Sequence, residues 1–297
     1  MSKENTPTAT LETLAKAPDW DSFLEKVVHV KDAEIWLDVF SKLLWRIDAP
    51  CNIIEAFVCI AGRNFASRRY ETGSTPLHEA IYAGANATVI RKLVAVFPEG
   101  VASCDSYDES PLDILSRKII MIEEITKYAC ETRQSEEDCL WECARLMLTA
   151  LSGQKDDEPL LHVVIYAGSR CPESLRTRAF RKFPSQLTLA NAKGDLPIHI
   201  SAGMVPTDPE EDDLLGLIEA APGTIMSRNT QNLLSPLQIA EKNGRTWRTG
   251  IHNLIRAEPQ AIESLQLDFS IYPFILRKCA SSVIYQILRG KPPLSMV

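Results

Sequence analysis

Apolar residues along this chain recur at helical spacing in short paired segments. Leu77, Ala80 and Ile81 fall at i, i+3 and i+4, which puts them on one stripe of a helix. Thr75 and Pro76 mark its start. Proline in the first turn gives up an N–H that has no intrahelical partner there, and the residue before it is placed to cap. Gly84 supplies the left-handed residue that ends a short helix. A second stripe follows at Val89, Ile90, Leu93, Val94 and Phe97, with a period near 3.6, and Pro98 stops that helix at the residue before it. The pattern predicts two antiparallel helices whose apolar faces need a neighbour to cover them. The same grammar recurs over residues 161–183 and 237–257.

The start of the first helix returns along the chain. Thr75-Pro76-Leu77-His78 is followed by Ser110-Pro111-Leu112-Asp113, Pro159-Leu160-Leu161-His162, Leu196-Pro197-Ile198-His199 and Ser235-Pro236-Leu237-Gln238. With Leu77, Leu112, Leu161, Ile198 and Leu237 as register marks, the steps are 35, 49, 37 and 39 residues. Leu77, Leu161, Ile198 and Leu237 are expected in the core. The closing prolines at Phe97-Pro98, Phe183-Pro184, Ala221-Pro222, Glu258-Pro259 and Lys291-Pro292 repeat independently, with steps of 38, 37 and 33 from Pro184 to Pro222, Pro259 and Pro292. A fixed step in the thirties is the mark of an array in which each unit contacts its neighbours. The unit Thr75-Pro76-Leu77-His78-Glu79-Ala80, with Gly84 and the second stripe after it, resembles the ankyrin repeat. The resemblance covers roughly residues 64–263. It implies an all-α fold, an α-solenoid of stacked helix-turn-helix ankyrin-like repeats with short hairpin loops and helical caps. It also implies that the motif histidines are structural, bonding backbone groups of neighbouring units, and that a partner sits on the concave side.

Around this array, residues 1–9 are polar and expected to be disordered. Residues 10–63 read as a helical amino-terminal cap or one more degenerate repeat, with apolar stripes at Phe23, Val27 and Val28, then Ile35, Trp36, Phe40, Leu43 and Leu44. Residues 264–297 read as a closing hairpin. Two insertions break the period. Residues 119–142 predict lengthened helices, with Ile119, Ile122, Ile125 and Tyr128 on one face and a projecting polar loop over 131–138. Residues 206–213 are acidic and precede a helix over 214–221; acid there is favoured by the helix dipole and free backbone N–H groups, with an acidic docking finger as the alternative.

At 297 residues, 45% of them apolar, the chain suits an array with a continuous core. A net charge of −7 argues against nucleic-acid binding, which draws on phosphate charge. No apolar run approaches the length of a membrane span, and the start carries no signal-type segment, so an intracellular, cytoplasmic or nuclear protein is expected. The eight cysteines are scattered and are expected to be free thiols. Cys139 and Cys143 lie at i, i+4 and either pack as small hydrophobes or present two thiolates to a metal. No catalytic triad, phosphate loop or metal motif stands out. The expectation is therefore a non-catalytic scaffold without cofactor or metal, binding a protein partner of unspecified identity, with the oligomeric state left open. Two alternatives remain: a regulatory subunit or enzyme acting through residues 119–143, and a binder of anionic RNA or lipid through Arg176, Arg178, Arg181 and Lys182.

Candidate contact residues follow from register. Tyr82 and Tyr166 share one position, four residues after the motif histidine, and Lys242 falls there in the last unit. That position lies off the apolar stripe, so the tyrosines are expected to be partly exposed, where Tyr offers stiff contact area. Arg69, Tyr70, Tyr107, Asp108, Lys193 and Asn229 fall near the hairpins between units, either as contacts or as ordinary turn residues.

Overall fold

The computed structural model describes residues 20–29, 33–46, 49–128, 134–155, 157–206 and 212–264. Among these every regular element is helical. The chain forms two compact units, Met1–Asp156 and Asp157–Val297. The expected disordered start at 1–9 and the closing hairpin at 264–297 lie, but for Ser264, outside the described residues, as does most of the acidic insertion.

The first unit contains α1 (Trp20–Val27), α2 (Ala33–Leu44), α3 (Cys51–Ala66), α4 (Pro76–Ala83), α5 (Ala87–Val96), α6 (Pro111–Tyr128) and α7 (Gln134–Ser152). Helices α2, α4 and α6 lie side by side, and α3, α5 and α7 form a second layer against them. The second unit repeats this with α8 (Leu160–Ala167), α9 (Glu173–Lys182), α10 (Pro197–Gly203), α11 (Asp213–Ala220), α12 (Pro236–Lys242) and α13 (His252–Ala257). There α8, α10 and α12 make one layer and α9, α11 and α13 the other. All five register residues are buried: Leu77, Leu112, Leu161, Ile198 and Leu237.

Helix ends follow from local chemistry. Gly84 closes α4 with φ 74° and ψ 33°. The residue before each closing proline leaves the helical region, with φ and ψ of −143° and 76° at Phe97, −119° and 53° at Phe183, −144° and 66° at Ala221, and −139° and 89° at Glu258. Proline crowds helical geometry at the preceding residue, and each proline then opens a short tighter turn. The lengthened pair expected at 119–142 is α6 and α7, of 18 and 19 residues. The polar run is shorter than predicted, because Gln134 to Asp138 already belong to α7. At the amino-terminal end α2 pairs with α3, and Phe40, Phe57 and Phe65 pack ring on ring with centroids 5.0 to 5.9 Å apart.

One bond pattern ties a helix pair to the next at three places, His78, His162 and His199. His78 Nδ1 accepts the Thr75 backbone N–H at 3.0 Å, and its Nε2–H donates to the Glu109 carbonyl at 3.1 Å. His199 does the same with the Leu196 N–H and the Ser227 carbonyl, both at 3.0 Å. His162 reaches the Asp195 carbonyl at 3.0 Å, but its Nδ1 is buried without a partner because Pro159, at the cap, has no N–H. Asp113 and Gln238 keep the cap bond with a carboxylate and an amide oxygen, at 2.9 Å each.

The hairpins between pairs close on themselves. Asp105 and Asn191 each donate their backbone N–H four residues on, to Glu109 and Asp195, while their side-chain oxygens accept two backbone N–H groups across the turn. Gly194 needs its missing Cβ: φ is +77°, and a methyl there would stand 1.6 Å from Thr230 Oγ1.

Two outcomes are expected. Leu77→Ala should destabilise the first unit by about 2–5 kcal/mol in urea unfolding, as a core truncation does. Burial lowers the pKa of His78, His162 and His199 below the ordinary imidazole value. Their neutral form is therefore favoured by folding, in a contribution present above about pH 6.5 and lost as pH falls toward the folded values. Asp213, pushed up to about 6 by burial, acts with the opposite sign, since acid relieves a buried charge. His78→Gln with His199→Gln should flatten the fall in stability between about pH 6.5 and 5 by up to ~1.4 kcal/mol per pH unit for each histidine removed. Urea midpoints measured across that range check it.

Candidate functional site

Helices α8, α10 and α12 of the second unit carry Tyr166, Gly203 and Lys242 at one shared position, four residues after His162, His199 and Gln238. Gly203 in the middle has no side chain, and a shallow groove of about 360 Å³ opens there. Tyr166 and Lys242 both line it, with Asp195, Asn229 and Asn243 as polar groups and Met204, Leu234 and Ile239 as apolar ones. Tyr166 is half-buried and Lys242 exposed. Met204 is 36% exposed. Three of the nine residues picked from the sequence, Tyr166, Lys242 and Asn229, thus come together in one groove.

Asp195 supplies the negative charge of this groove. Its Oδ1 accepts the Asn229 Nδ2–H at 2.8 Å, and among the described residues no cation pairs with it. Burial, and after it the charge of Asp195, pushes the Tyr166 phenol up. The same carboxylate acts on His162 and His199.

The first unit shows the equivalent position filled. Tyr82 follows His78 by four residues, and Arg117 follows Asp113 by four. Glu109 ends its hairpin as Asp195 ends the next. Arg117 forks onto Glu109, with Nη1 on Oε1 and Nη2 on Oε2 at 2.9 Å, and its charge acts on the Tyr82 phenol. Lys118 donates to the Tyr82 carbonyl at 2.8 Å. Tyr82, half-buried as expected, is thus held by its own chain.

The hairpin residues divide by what they already bond. Arg69 donates to the Gly73 and Cys104 carbonyls at 2.7 and 2.6 Å, joining two turns. Tyr70 turns inward and donates to the Leu37 carbonyl at 2.9 Å. Asn229, 4% exposed, spends its oxygen on the N–H groups of Asn232 and Leu234. Arg69 and Asn229 thus hold turns together, and Tyr70 ties its turn to α2. Tyr107, 76% exposed, and Asp108, at φ +61°, stand at the tip of the turn from Asp105 to Glu109. Lys193 is exposed on the turn that ends in Asp195.

The basic segment at 176–182 is not uniformly solvated, as its reading as an outer helix face required. Arg176 is buried and pairs with Asp213 at 3.3 Å. Beside it lies an ion pair that the sequence did not disclose. Arg245 is 4% exposed and forks onto Asp212 at 2.6 and 3.0 Å, while donating to the carbonyls of Ser201, Ala202 and Thr249. Asp212 also caps α11 through the Leu214 N–H at 3.1 Å. The acid at this helix start therefore serves both the helix dipole and a buried guanidinium. Cys143 is buried, and burial together with Cys139 pushes its thiol up. Among the described residues, no group of three or more His, Cys, Asp or Glu is placed to hold a metal, and no helix is long and apolar enough to cross a membrane.

Compared with known proteins, the chain matches no family model and no curated sequence.

Breaking the Arg245–Asp212 pair should be costly, because one charge is left buried without its partner. Arg245→Met is expected to lower the stability of the second unit by about 3–5 kcal/mol. Arg245→Lys should recover little of this, since an ammonium cannot reproduce the planar fork. Denaturant unfolding of both variants measures it, and a lysine variant as stable as the parent would show that charge alone suffices.

Proposed function

We propose that this chain is a non-catalytic recognition scaffold of stacked ankyrin-like helix pairs, which binds a protein partner along the exposed face of its first helices. The observation that carries this reading is the groove over Gly203. Its walls repeat one register position, so the same backbone geometry presents Tyr166 on one side, nothing in the middle and Lys242 on the other. Partly exposed Tyr beside Met204 and Ile239 offers stiff apolar area with a polar tip, the composition favoured at the centre of protein interfaces. The neighbouring amides and charges supply orientation. The hairpins that carry Asp195 and Asn229 are closed by their own hydrogen bonds, so little ordering is needed on binding. The cysteines of the described residues are all free thiols, which suits a protein working inside the cell.

The anionic-ligand alternative loses ground on one specific point: Arg176 is committed to Asp213 and is withdrawn from the surface.

The test uses a partner recovered from cells on the immobilised full chain and then titrated in pure form. Tyr166→Ala should weaken binding by about 2 kcal/mol or more, as truncation of a central interface tyrosine does. Melting should shift little, since Tyr166 stands off the apolar stripe. Unchanged affinity in Tyr166→Ala, and again in Tyr82→Ala, would move the interface to another face.

A further inference from the structure

The groove of the second unit contains a seat whose occupant the first unit supplies from its own chain. Tyr82, Glu109 and Arg117 occupy the same three register positions as Tyr166, Asp195 and Gly203. The correspondence is fixed by backbone bonds: His78 donates to the Glu109 carbonyl as His162 does to the Asp195 carbonyl, and each carboxylate residue ends a hairpin that starts at Asp105 or Asn191. In the first unit the Arg117 guanidinium forks onto the Glu109 carboxylate, close enough to Tyr82 for its charge to act on the phenol. In the second unit Gly203 has no side chain, and among the described residues Asp195 has no cationic partner.

Resting on the recognition reading above, we propose that the Tyr166–Asp195 seat takes the guanidinium of an arginine in the protein partner, carried on a segment that crosses Gly203. The chemistry is that of the filled site. A carboxylate receives the two parallel N–H groups of the planar fork, and a tyrosine beside it favours a guanidinium through its ring and its hydroxyl. Met204 and Ile239 line the groove next to the seat and can cover the aliphatic stem of the incoming arginine. Asp195 is one methylene shorter than Glu109, so the seat lies deeper and a long side chain is needed to reach it. Lys242 on the far wall disfavours a second basic residue and orients the segment. The geometry at Gly203 admits a blocking test. Its backbone does not adopt a positive φ, and a Cβ placed there would meet Ile239 at 3.4 Å and Asn243 at 3.8 Å, ordinary contacts.

Gly203→Arg would place in the second unit the guanidinium that Arg117 supplies in the first. Random linear peptides displayed on phage are selected on the immobilised full chain, and the retained peptides are titrated against the parent, Gly203→Arg and Asp195→Asn. Melting of each variant establishes that it folds. Should Gly203→Arg not fold, Asp195→Asn carries the test, because it keeps an oxygen for the Asn229 amide. The expected result is that peptides lost on either variant carry arginine. Replacing that arginine by alanine should weaken binding to the parent roughly ten- to a hundredfold, the range for a hydrogen-bonded charge. Peptides that are lost on the variants but show no need for arginine would overturn the guanidinium seat and leave the recognition groove standing. If neither variant changes the binding of any selected peptide, both the seat and the groove are overturned.

Discussion

In each unit the stacking of helix pairs depends on one side chain meeting two backbones at once. The histidine three residues into a first helix accepts the N–H at its own cap and donates to a carbonyl of the following turn. The first bond holds the helix start, where free N–H groups otherwise have no partner. The second sets the spacing of the next helix pair. Both bonds need the neutral imidazole, one nitrogen with a proton and one without, and burial maintains that state. The substitutions along the chain show that the two halves are separable. Asp113 and Gln238 keep the cap bond. His162 keeps the onward bond and loses the cap, because Pro159 removed the donor.

Such a frame leaves the positions one turn later free to vary, and function can be written there by addition or deletion of a side chain. Arg117 closes the Tyr82–Glu109 pair in the first unit. Gly203 leaves the Tyr166–Asp195 pair open in the second. The register is the same in both; a single side chain separates an internal ion pair from an open groove. The open version carries an unneutralised carboxylate near a half-buried tyrosine and two buried histidine rings, a field that any cationic group in the groove would relieve.

The second unit also buries charge where an apolar array has no need of it. Arg245 satisfies five acceptors, three of them carbonyls and two the oxygens of Asp212. Saturation of this kind is what makes a buried pair tolerable, since the desolvation of both ions must be offset by bonds to every donor. The pair joins the end of α12 to the start of α11 across a sequence distance of 33 residues. Gly250 at φ +120° makes room for it: a Cβ there would stand 2.7 Å from Arg245 Nη1.

What the sequence determined by itself was local. Pro at a helix start, Gly84 at an end and the extended residue before each closing proline are fixed by the sterics and hydrogen bonding of a few adjacent residues, and they appear where the pattern placed them. The buried register residues were equally legible, because a 3.6-residue period leaves one stripe to cover. The groove was legible in part. Tyr166 and Lys242 share a position that counting from the motif histidine reveals, and the same count reaches Gly203 and Arg117, whose importance is an absent and a present side chain at one site. Tertiary structure alone decided the rest. Tyr70 and Asn229 look like free turn residues in the chain, yet Tyr70 bonds a carbonyl of α2 and Asn229 the Asp195 carboxylate of the neighbouring hairpin. Arg176 reads as one of four surface cations, but the packing of α9 against α11 brings it to Asp213. Arg245 finds Asp212 only once α12 lies beside α10. Charge partners separated by a whole helix pair leave no periodic trace, since their meeting depends on how layers stack and not on spacing along one helix.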